Sequence, residues 1–323
     1  MAPPLVSWAA SVRALTGTIA SYDAPSTAEI AARVGLPVEQ ILRFDGNTSP
    51  SALPSTRAEA LTEELGRIHT YPHGGYPELE RAIGDYAGVA PENVVLGAGA
   101  DDLILLLTRS FASPGDTVAI ANDPTYPMFP ISVWVAGATV GDDNPVLTIA
   151  CRPNNPTGEL GELPAARPLV VDEAYFEYSG VTAADLIEDG IVVIRTFSKA
   201  FGLAGARVGY ALAGRDVAAE LNQRQHPAPL STLSAALALA GLAAPPDVSP
   251  ILEERERMAE RLRALGFAPH DSAANFLYVP VDDPQGEYDR LLAHGMAVRP
   301  VRGGIRITIR TQRDDDRLLQ VLA

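Results

Sequence analysis

The sequence contains very little lysine and a single cysteine. Of the 25 Lys and Arg residues among its 323 residues, only Lys199 is a lysine. The lone Cys151 excludes an internal disulfide and favours a reducing compartment. Arginine cannot replace a lysine whose amine attacks a carbonyl, because a guanidinium stays protonated where an amine can lose its proton. Lys199 is therefore a candidate nucleophile for an imine with a carbonyl compound.

Positive charge is scarce too, and long apolar runs are missing. Acidic residues outnumber basic ones 40 to 25, for a net charge of −15. This balance argues against nucleic acid or an anionic membrane as a partner. No basic start followed by an apolar run opens the sequence, so neither a signal peptide nor a membrane span is predicted. With 47% apolar and 20% charged residues, the composition is that of a globular protein, which we expect in the cytoplasm.

Apolar segments bounded by Gly and Pro alternate with helical patterns, which predicts an α/β fold. Several apolar segments are continuous, as expected of parallel strands covered by helices on both faces. Alanine and proline at residues 243–246 mark a junction, so we expect a large domain of residues 45–244 and a smaller α+β domain of residues 1–44 plus 245–323. The predicted strands are 94–96, 117–121, 146–150, 169–171, 191–194, 208–212, 275–279 and 305–309, and the predicted helices are 57–68, 77–86, 101–111, 216–225, 232–242, 251–265 and 313–321.

Residues 27–43 admit a rival interpretation as a helix-turn-helix, which would suggest a DNA-binding regulator. Its two arginines are balanced by Glu29 and Glu39, and few residues precede it. We therefore favour a small helical hairpin that packs on the main body.

Four segments carry candidate chemistry. Residues 195–202 follow a predicted strand and place Lys199 where catalytic groups of open α/β sheets collect. Residues 169–175 end a strand with Asp172 and Glu173; a metal is the weaker explanation for these carboxylates, because no His cluster is near, and we predict no metal site. Residues 153–158 form a rigid turn. Residues 97–101 open a helix with glycines and suit a single phosphate better than a dinucleotide, since the third glycine of that motif is missing.

Together these segments resemble a known family. Asn-Asn-Pro-Thr-Gly at 154–158, Asp-Glu-Ala-Tyr at 172–175, Ser-Lys-Ala-Phe-Gly at 198–202 and then Arg207 are similar to the fold-type I pyridoxal-phosphate aminotransferases. Residues 71–72, 99–101, 123–126, 272–276 and 304–308 resemble the histidinol-phosphate aminotransferase branch, as does the segment 30–47. The resemblance implies an aspartate-aminotransferase-like fold, in which a large cofactor-binding domain holds a mostly parallel sheet between helices.

The resemblance also implies roles for individual residues. Lys199 would hold the aldehyde of pyridoxal 5′-phosphate as an internal aldimine and move protons, and Asp172 would keep the pyridine nitrogen protonated. Asn155 and Tyr175 would bond the ring's phenolic oxygen, and Tyr126 would stack on the ring. The phosphate would be held at Gly99, Ala100, Asp101, Thr196, Ser198 and Arg207, with Tyr71 reaching it from the neighbouring subunit of a homodimer.

The substrate side is carried over from the resemblance in the same way. Arg306 would bind the acidic end of a substrate with Arg299 nearby, and Tyr22 and Asn47 would lie beside it. Three features depart from the family: residues 140–151 and 159–168 are short, Thr48 replaces a usual Glu, and Arg310 stands where glycine is common and could intrude on the pocket.

We therefore predict an aminotransferase that moves an amino group between L-glutamate/2-oxoglutarate and histidinol phosphate or a related aromatic or phosphorylated compound. The alternatives are a decarboxylase resembling the threonine-phosphate enzyme, an aromatic amino-acid aminotransferase, a pyridoxal-phosphate-dependent oxidase of a specialised pathway, and the DNA-binding regulator with a ligand-sensing domain.

Overall fold

The computed structural model describes residues 25–50, 61, 62 and 64–323. Two sheets dominate this part of the chain. The strands are β1 Leu42–Arg43, β2 Val94–Gly97, β3 Thr117–Ile120, β4 Thr139–Val140, β5 Leu147–Cys151, β6 Leu169–Asp172, β7 Ile191–Thr196, β8 Gly209–Leu212, β9 Phe276–Pro280, β10 Met296–Ala297, β11 Arg299–Val301 and β12 Gly304–Thr308. A seven-stranded sheet has the order β2-β8-β7-β6-β5-β3-β4, and a three-stranded sheet has the order β11-β12-β9.

Helices surround both sheets, and several begin and end where the sequence provides caps. The helices are α1 Thr27–Val34, α2 Pro77–Ala87, α3 Ala100–Phe111, α4 Met128–Val135, α5 Phe176–Ser179, α6 Arg215–Arg224, α7 Thr232–Ala243, α8 Ser249–Ala264, α9 Pro284–Leu292 and α10 Gln312–Leu322. In helix α1, residues at the two ends determine where the helix begins and ends. Ser26 and Glu29 form a capping box at its start, and Gly35 ends it with a φ of 69°.

The large sheet is mostly parallel and buried on both faces. Strands β4, β3, β5, β6 and β7 pair in parallel, whereas β8 runs antiparallel to β7 and to β2. Leu169, Val171 and Val193 pack on one face, and Val170 and Val192 pack on the other. Because alternate residues of each strand enter two different cores, runs such as residues 169–171 and 191–194 are continuously apolar.

The small sheet is antiparallel and has a core of its own. Helices α8 and α10 cover it with Met258, Leu262 and Leu318, and Phe44 joins the same core from the N-terminal side. The short strand β1 pairs in parallel with β10. The α/β class is confirmed, and the proposed boundaries at residues 45 and 244 stay a prediction.

The interpretation of residues 27–43 as a helix-turn-helix is wrong. After α1 the chain makes only a three-residue 3₁₀ turn at Val38–Gln40 and then enters β1. Ile30, Ala31 and Ile41 are buried against Leu292 and Ala297, so this segment packs onto the small sheet's side of the molecule. The expected second helix of a hairpin is missing from it as well.

The sequence predicted most other elements within a few residues. It missed α4, the one-turn helix α5, α9 and the short strands β1, β4, β10 and β11. The predicted helix at 57–68 falls partly outside the described residues. Among the described residues, no helix combines the length and apolar character needed to cross a membrane. The same part of the chain holds no group of three or more His, Cys, Asp and Glu side chains suited to a metal ion.

Candidate active site

A cavity lies beyond the carboxyl ends of β5, β6 and β7, where the large sheet meets the small one. Open α/β sheets bind ligands at this edge, because the loops after parallel strands converge there. The cavity is lined by Gly46, Asn47, Thr48, Ala100, Asp101, Tyr126, Cys151, Asn155, Asp172, Ala174, Tyr175, Thr196, Ser198, Lys199, Ala204, Arg207 and Arg306. Most of the predicted site residues therefore share one cavity.

One end of the cavity has the features of a site for an anion. Helix α3 begins there, and Gly99 before it has a φ of 88°. This φ favours glycine, and a Cβ here would approach the Arg207 guanidinium to 2.8 Å, so a larger residue would displace that side chain. Free N–H groups at a helix start carry partial positive charge. The hydroxyls of Thr196 and Ser198 lie 2.9 Å apart beside it. These groups together suit a phosphate dianion.

Lys199 follows β7 and extends into the cavity. Its Nζ donates to the Gly46 carbonyl at 3.2 Å. Burial, and to a smaller extent the positive charge of Arg306, lower the pKa of the amine from 10.5 to about 8. A larger fraction of the amine is therefore neutral near neutral pH than on an exposed lysine, as a nucleophile for a carbonyl requires.

Asp172 ends β6 at the cavity wall and is 3% exposed. Its Oδ1 accepts from the Ala174 N–H at 3.0 Å. Burial raises the pKa of the carboxyl from 3.8 to about 7, so the ionised form lacks sufficient compensation from its surroundings. A cation placed in the cavity beside Asp172 would supply that compensation.

Three polar side chains occupy the space between these groups. Tyr126 donates its hydroxyl to Asp101 at 2.8 Å. The Tyr175 hydroxyl accepts from the side-chain amide of Asn47 at 3.0 Å, and its buried ring packs edge-on against a phenylalanine. Burial raises the pKa of Tyr175 well above that of a free tyrosine, so it keeps its proton. Asn155 reaches the cavity from the turn after β5.

Arg306 reaches the cavity from β12 of the small sheet. The residue is 6% exposed. Its guanidinium donates to the Asn155 side chain and to the Asp45 carbonyl, both at 2.5 Å, and lies 5.4 Å from the centre of the Phe276 ring. A buried guanidinium on this wall gives the cavity a second cationic end, separate from the helix start.

The remaining predicted residues lie elsewhere. Arg299 pairs with Arg306 across β11 and β12 but does not line the cavity. Tyr71 is 79% exposed and lines a different depression, beside α2 and α7. Tyr22 lies outside the described residues. Arg310 does not intrude on the pocket: its side chain pairs with Asp314 and lies over the Phe44 ring.

Sequence reasoning left five lining residues unassigned: Gly46, Thr48, Cys151, Ala174 and Ala204. Gly46 contributes only its carbonyl, which no sequence pattern reports. Cys151 is paired with Asp172 across β5 and β6, so strand register was the signal that could have placed it. Ala174 and Ala204 sit within or next to segments already singled out, and their small side chains leave room in the cavity.

The comparisons with known proteins agree with this geometry. Residues 38–142 and 140–322 match the model of the family described as aminotransferase class I and II. The chain belongs to that family. Its cofactor is pyridoxal phosphate, its reaction is amino transfer and its substrates are small molecules.

Individual relatives cover nearly the whole chain. A histidinol-phosphate aminotransferase of Thermoanaerobacter pseudethanolicus is 32% identical over 87% of this chain and 92% of its own. An aromatic amino acid aminotransferase of Rhodococcus opacus is 33% identical over 84% and 86%. The crystal structure of histidinol-phosphate aminotransferase from Sinorhizobium meliloti in complex with pyridoxal 5′-phosphate superposes with a TM-score of 0.82 at 25% identity, covering 94% and 95% of the two chains.

The cavity fits pyridoxal phosphate by its own chemistry. The start of α3 with Arg207 suits the phosphate, and Lys199 offers an amine of lowered pKa for the aldehyde. Asp172 is a buried carboxylate that lacks a strong cationic partner, as a protonated ring nitrogen would provide. Three separate features of the cavity therefore match three separate groups of the cofactor.

Proposed function

We propose that this aminotransferase exchanges an amino group between L-glutamate/2-oxoglutarate and histidinol phosphate, with imidazole-acetol phosphate as the oxo partner, as in histidine biosynthesis. The buried guanidinium of Arg306 is the observation that carries the proposal. Glutamate and histidinol phosphate both end in an anion, and one guanidinium can bind either a carboxylate or a phosphate. The relative from T. pseudethanolicus bears the corresponding name.

In the proposed reaction the residues around the amine share the proton chemistry. Pyridoxal phosphate, when bound, supplies an aldehyde and a ring that accepts electrons from the bond broken at the substrate. Lys199 would bind the cofactor through its Nζ and afterwards use the same atom to move a proton. Asp172 stays ionised and holds a proton on the ring nitrogen. We assign the role of Lys199 because burial lowers the pKa of its amine. We assign the role of Asp172 because its buried carboxylate needs a cationic partner, which a protonated ring nitrogen would supply.

Other side chains orient the reactants. Tyr175 and Asn155 donate to the phenolic oxygen, and Tyr126 packs against the ring. The start of α3 at Gly99, Ala100 and Asp101, together with Thr196, Ser198 and Arg207, binds the phosphate. Asn47 lies on the substrate side with Arg306, and Arg299 and Tyr22 stay predictions there.

We further propose a homodimer in which Tyr71 of each subunit completes the partner's phosphate site. Its exposure on a single chain, outside the cavity, is compatible with such a contribution. The large and small domains would carry the cofactor and substrate ends respectively, and the enzyme would act in the cytoplasm.

The test is a half-reaction followed by the cofactor's absorbance. L-Glutamate and, separately, L-histidinol phosphate should each convert the bound cofactor to its amino form, and 2-oxoglutarate should reverse the change. No conversion by histidinol phosphate, with full conversion by glutamate, would remove the proposed substrate while leaving the aminotransferase.

The same assay with a third donor, together with three further measurements, distinguishes the alternatives. The R. opacus relative is named an aromatic amino acid aminotransferase, so phenylalanine is included as a donor. A preference for phenylalanine over histidinol phosphate would favour that activity. Release of carbon dioxide, or oxygen uptake, without an oxo-acid acceptor would favour the decarboxylase or the oxidase. A salt-dependent shift of duplex DNA would be needed to revive the regulator.

A further inference from the structure

Thr308 lies behind the active site and connects to it through hydrogen bonds. It ends β12 and is 1% exposed, and it does not line the cavity. Its hydroxyl accepts from the Asn47 backbone N–H at 2.9 Å and donates to the Asn47 side-chain oxygen at 2.9 Å. One buried hydroxyl therefore makes two bonds to the same neighbour.

These two bonds determine which way the Asn47 amide faces. The Thr308 hydroxyl has one proton, and that proton goes to Oδ1 of Asn47, so Nδ2 must face the other way. In the opposite orientation two N–H groups would face the Thr308 oxygen, and its own proton would lose its acceptor. The backbone of Asn47 is fixed as well, because its φ is 50° and its carbonyl accepts from Asn275 at 3.1 Å.

The fixed amide in turn orients the Tyr175 hydroxyl. Nδ2 of Asn47 donates to the Tyr175 oxygen at 3.0 Å. Since an amide N–H has no lone pair to offer, Tyr175 cannot give its own proton to Asn47. The proton is left for an acceptor in the cavity, which Tyr175 lines.

We propose that Thr308 is a positioning residue that, through Asn47, makes the hydroxyl of Tyr175 a hydrogen-bond donor to the ligand in the cavity. The proposal rests on the role given above to Tyr175 beside the cofactor's phenolic oxygen. Without the Thr308 hydroxyl the Asn47 amide is free to turn, and Tyr175 then donates to Asn47 instead of to the ligand.

A pH titration of the bound cofactor's absorbance measures this donation without turnover. A donor to the phenolic oxygen stabilises its anionic form and so lowers the pKa of the chromophore. Thr308→Val, which keeps the shape and removes the hydroxyl, should raise that pKa by about one pH unit, the effect of one hydrogen bond. Thr308→Ser, which keeps the hydroxyl, should titrate like the wild type. Thr308→Ala is measured too, so the result does not depend on one variant folding.

A double-mutant cycle separates positioning from a general structural effect. Tyr175→Phe alone should raise the chromophore pKa, and adding Thr308→Val to it should raise it no further. Cofactor affinity of the apoenzyme, measured by fluorescence titration, should fall in Thr308→Val and recover in Thr308→Ser. Urea unfolding of each apoenzyme checks the fold.

Two results would overturn this inference without touching the proposed function. One is a chromophore pKa in Thr308→Val and Thr308→Ala equal to that of the wild type. The other is that Thr308→Val raises the chromophore pKa as much in Tyr175→Phe as it does in the wild type. A wild-type protein that acquires no chromophore would overturn the proposed function and this inference together.

Discussion

The two walls of the cavity are assembled in different ways. On the large-sheet side, Asp172, Lys199 and Asn155 each lie at or just after the end of their own strand, within a short motif. On the small-sheet side, Arg306 and Thr308 meet Asp45 and Asn47 across a separation of 261 residues in both cases. The first wall is built from local segments and the second from long-range contacts.

This difference affects how a substitution acts. A residue on the large-sheet wall carries its own chemistry, so its replacement removes a step. A residue on the small-sheet wall acts with partners from distant parts of the chain, so its replacement changes how the substrate is bound and oriented. Substitutions on each wall test this difference.

Lys199→Arg should have the largest effect. The guanidinium stays protonated and cannot supply the neutral amine, so activity should fall by at least about a thousandfold. The purified variant should show no borohydride-fixed cofactor on this position by mass spectrometry, and its circular dichroism should match the wild type.

A matched control adds a lysine elsewhere in that variant. Arg215 is exposed, so Arg215→Lys restores one primary amine on the surface. It should not restore the adduct or the activity. Recovery of either would mean that a lysine at any position can bind the cofactor, which would contradict the role assigned to Lys199.

Arg306→Gln should come next, with a different signature. Losing the charge that faces an anionic substrate should raise KM for glutamate and histidinol phosphate about a hundredfold. The cofactor's dissociation constant should change by less than about threefold, because the phosphate site lies at the other end of the cavity. An equal rise in the substrate KM and in the cofactor's dissociation constant would mean that the two walls do not act separately.

The sequence allowed prediction of the large-sheet wall but only part of the small one. Asp172, Asn155 and Lys199 stand in compact motifs after apolar strands, where chain order already places them at one edge. Arg306 and Asn47 came from a resemblance, and Thr308 was not singled out as a site residue. The role proposed for Thr308 depends on a hydrogen bond to Asn47. A local sequence pattern cannot predict a contact between residues so far apart in the chain.

For Arg310, in contrast, the sequence suggested an effect on the pocket that the structure does not support. Its unusual position in the sequence suggested a changed pocket, yet its side chain turns to Asp314 and to the Arg43 carbonyl. The direction of a side chain at a strand end is decided by tertiary partners, here the acidic first turn of α10.

Asp172→Asn should separate stability from function. Burial raises the carboxyl's folded pKa from 3.8 to about 7, so the folded apoenzyme binds more protons than the unfolded chain between these values. Apoenzyme stability therefore falls as pH rises through that window. The amide removes this cost, so the apo variant should gain up to about 4 kcal/mol over the wild type at pH 8 and little at pH 4. Urea unfolding at both pH values measures it. A gain independent of pH would contradict the assignment, and the loaded variant should lose activity.

Arg310→Met should have the smallest effect, and it tests whether the small-sheet wall ends where the cavity does. The side chain pairs with Asp314 at 3.0 Å while both groups are largely buried, so its loss should lower stability by about 1 kcal/mol. The thioether keeps part of the stem that packs over Phe44. Because the guanidinium points away from the cavity, kcat/KM for glutamate and histidinol phosphate should stay within about twofold. Arg313→Met, at an exposed neighbouring position, is the control and should leave both stability and kcat/KM unchanged. A selective loss of histidinol phosphate turnover in Arg310→Met alone would extend the substrate wall to the start of α10.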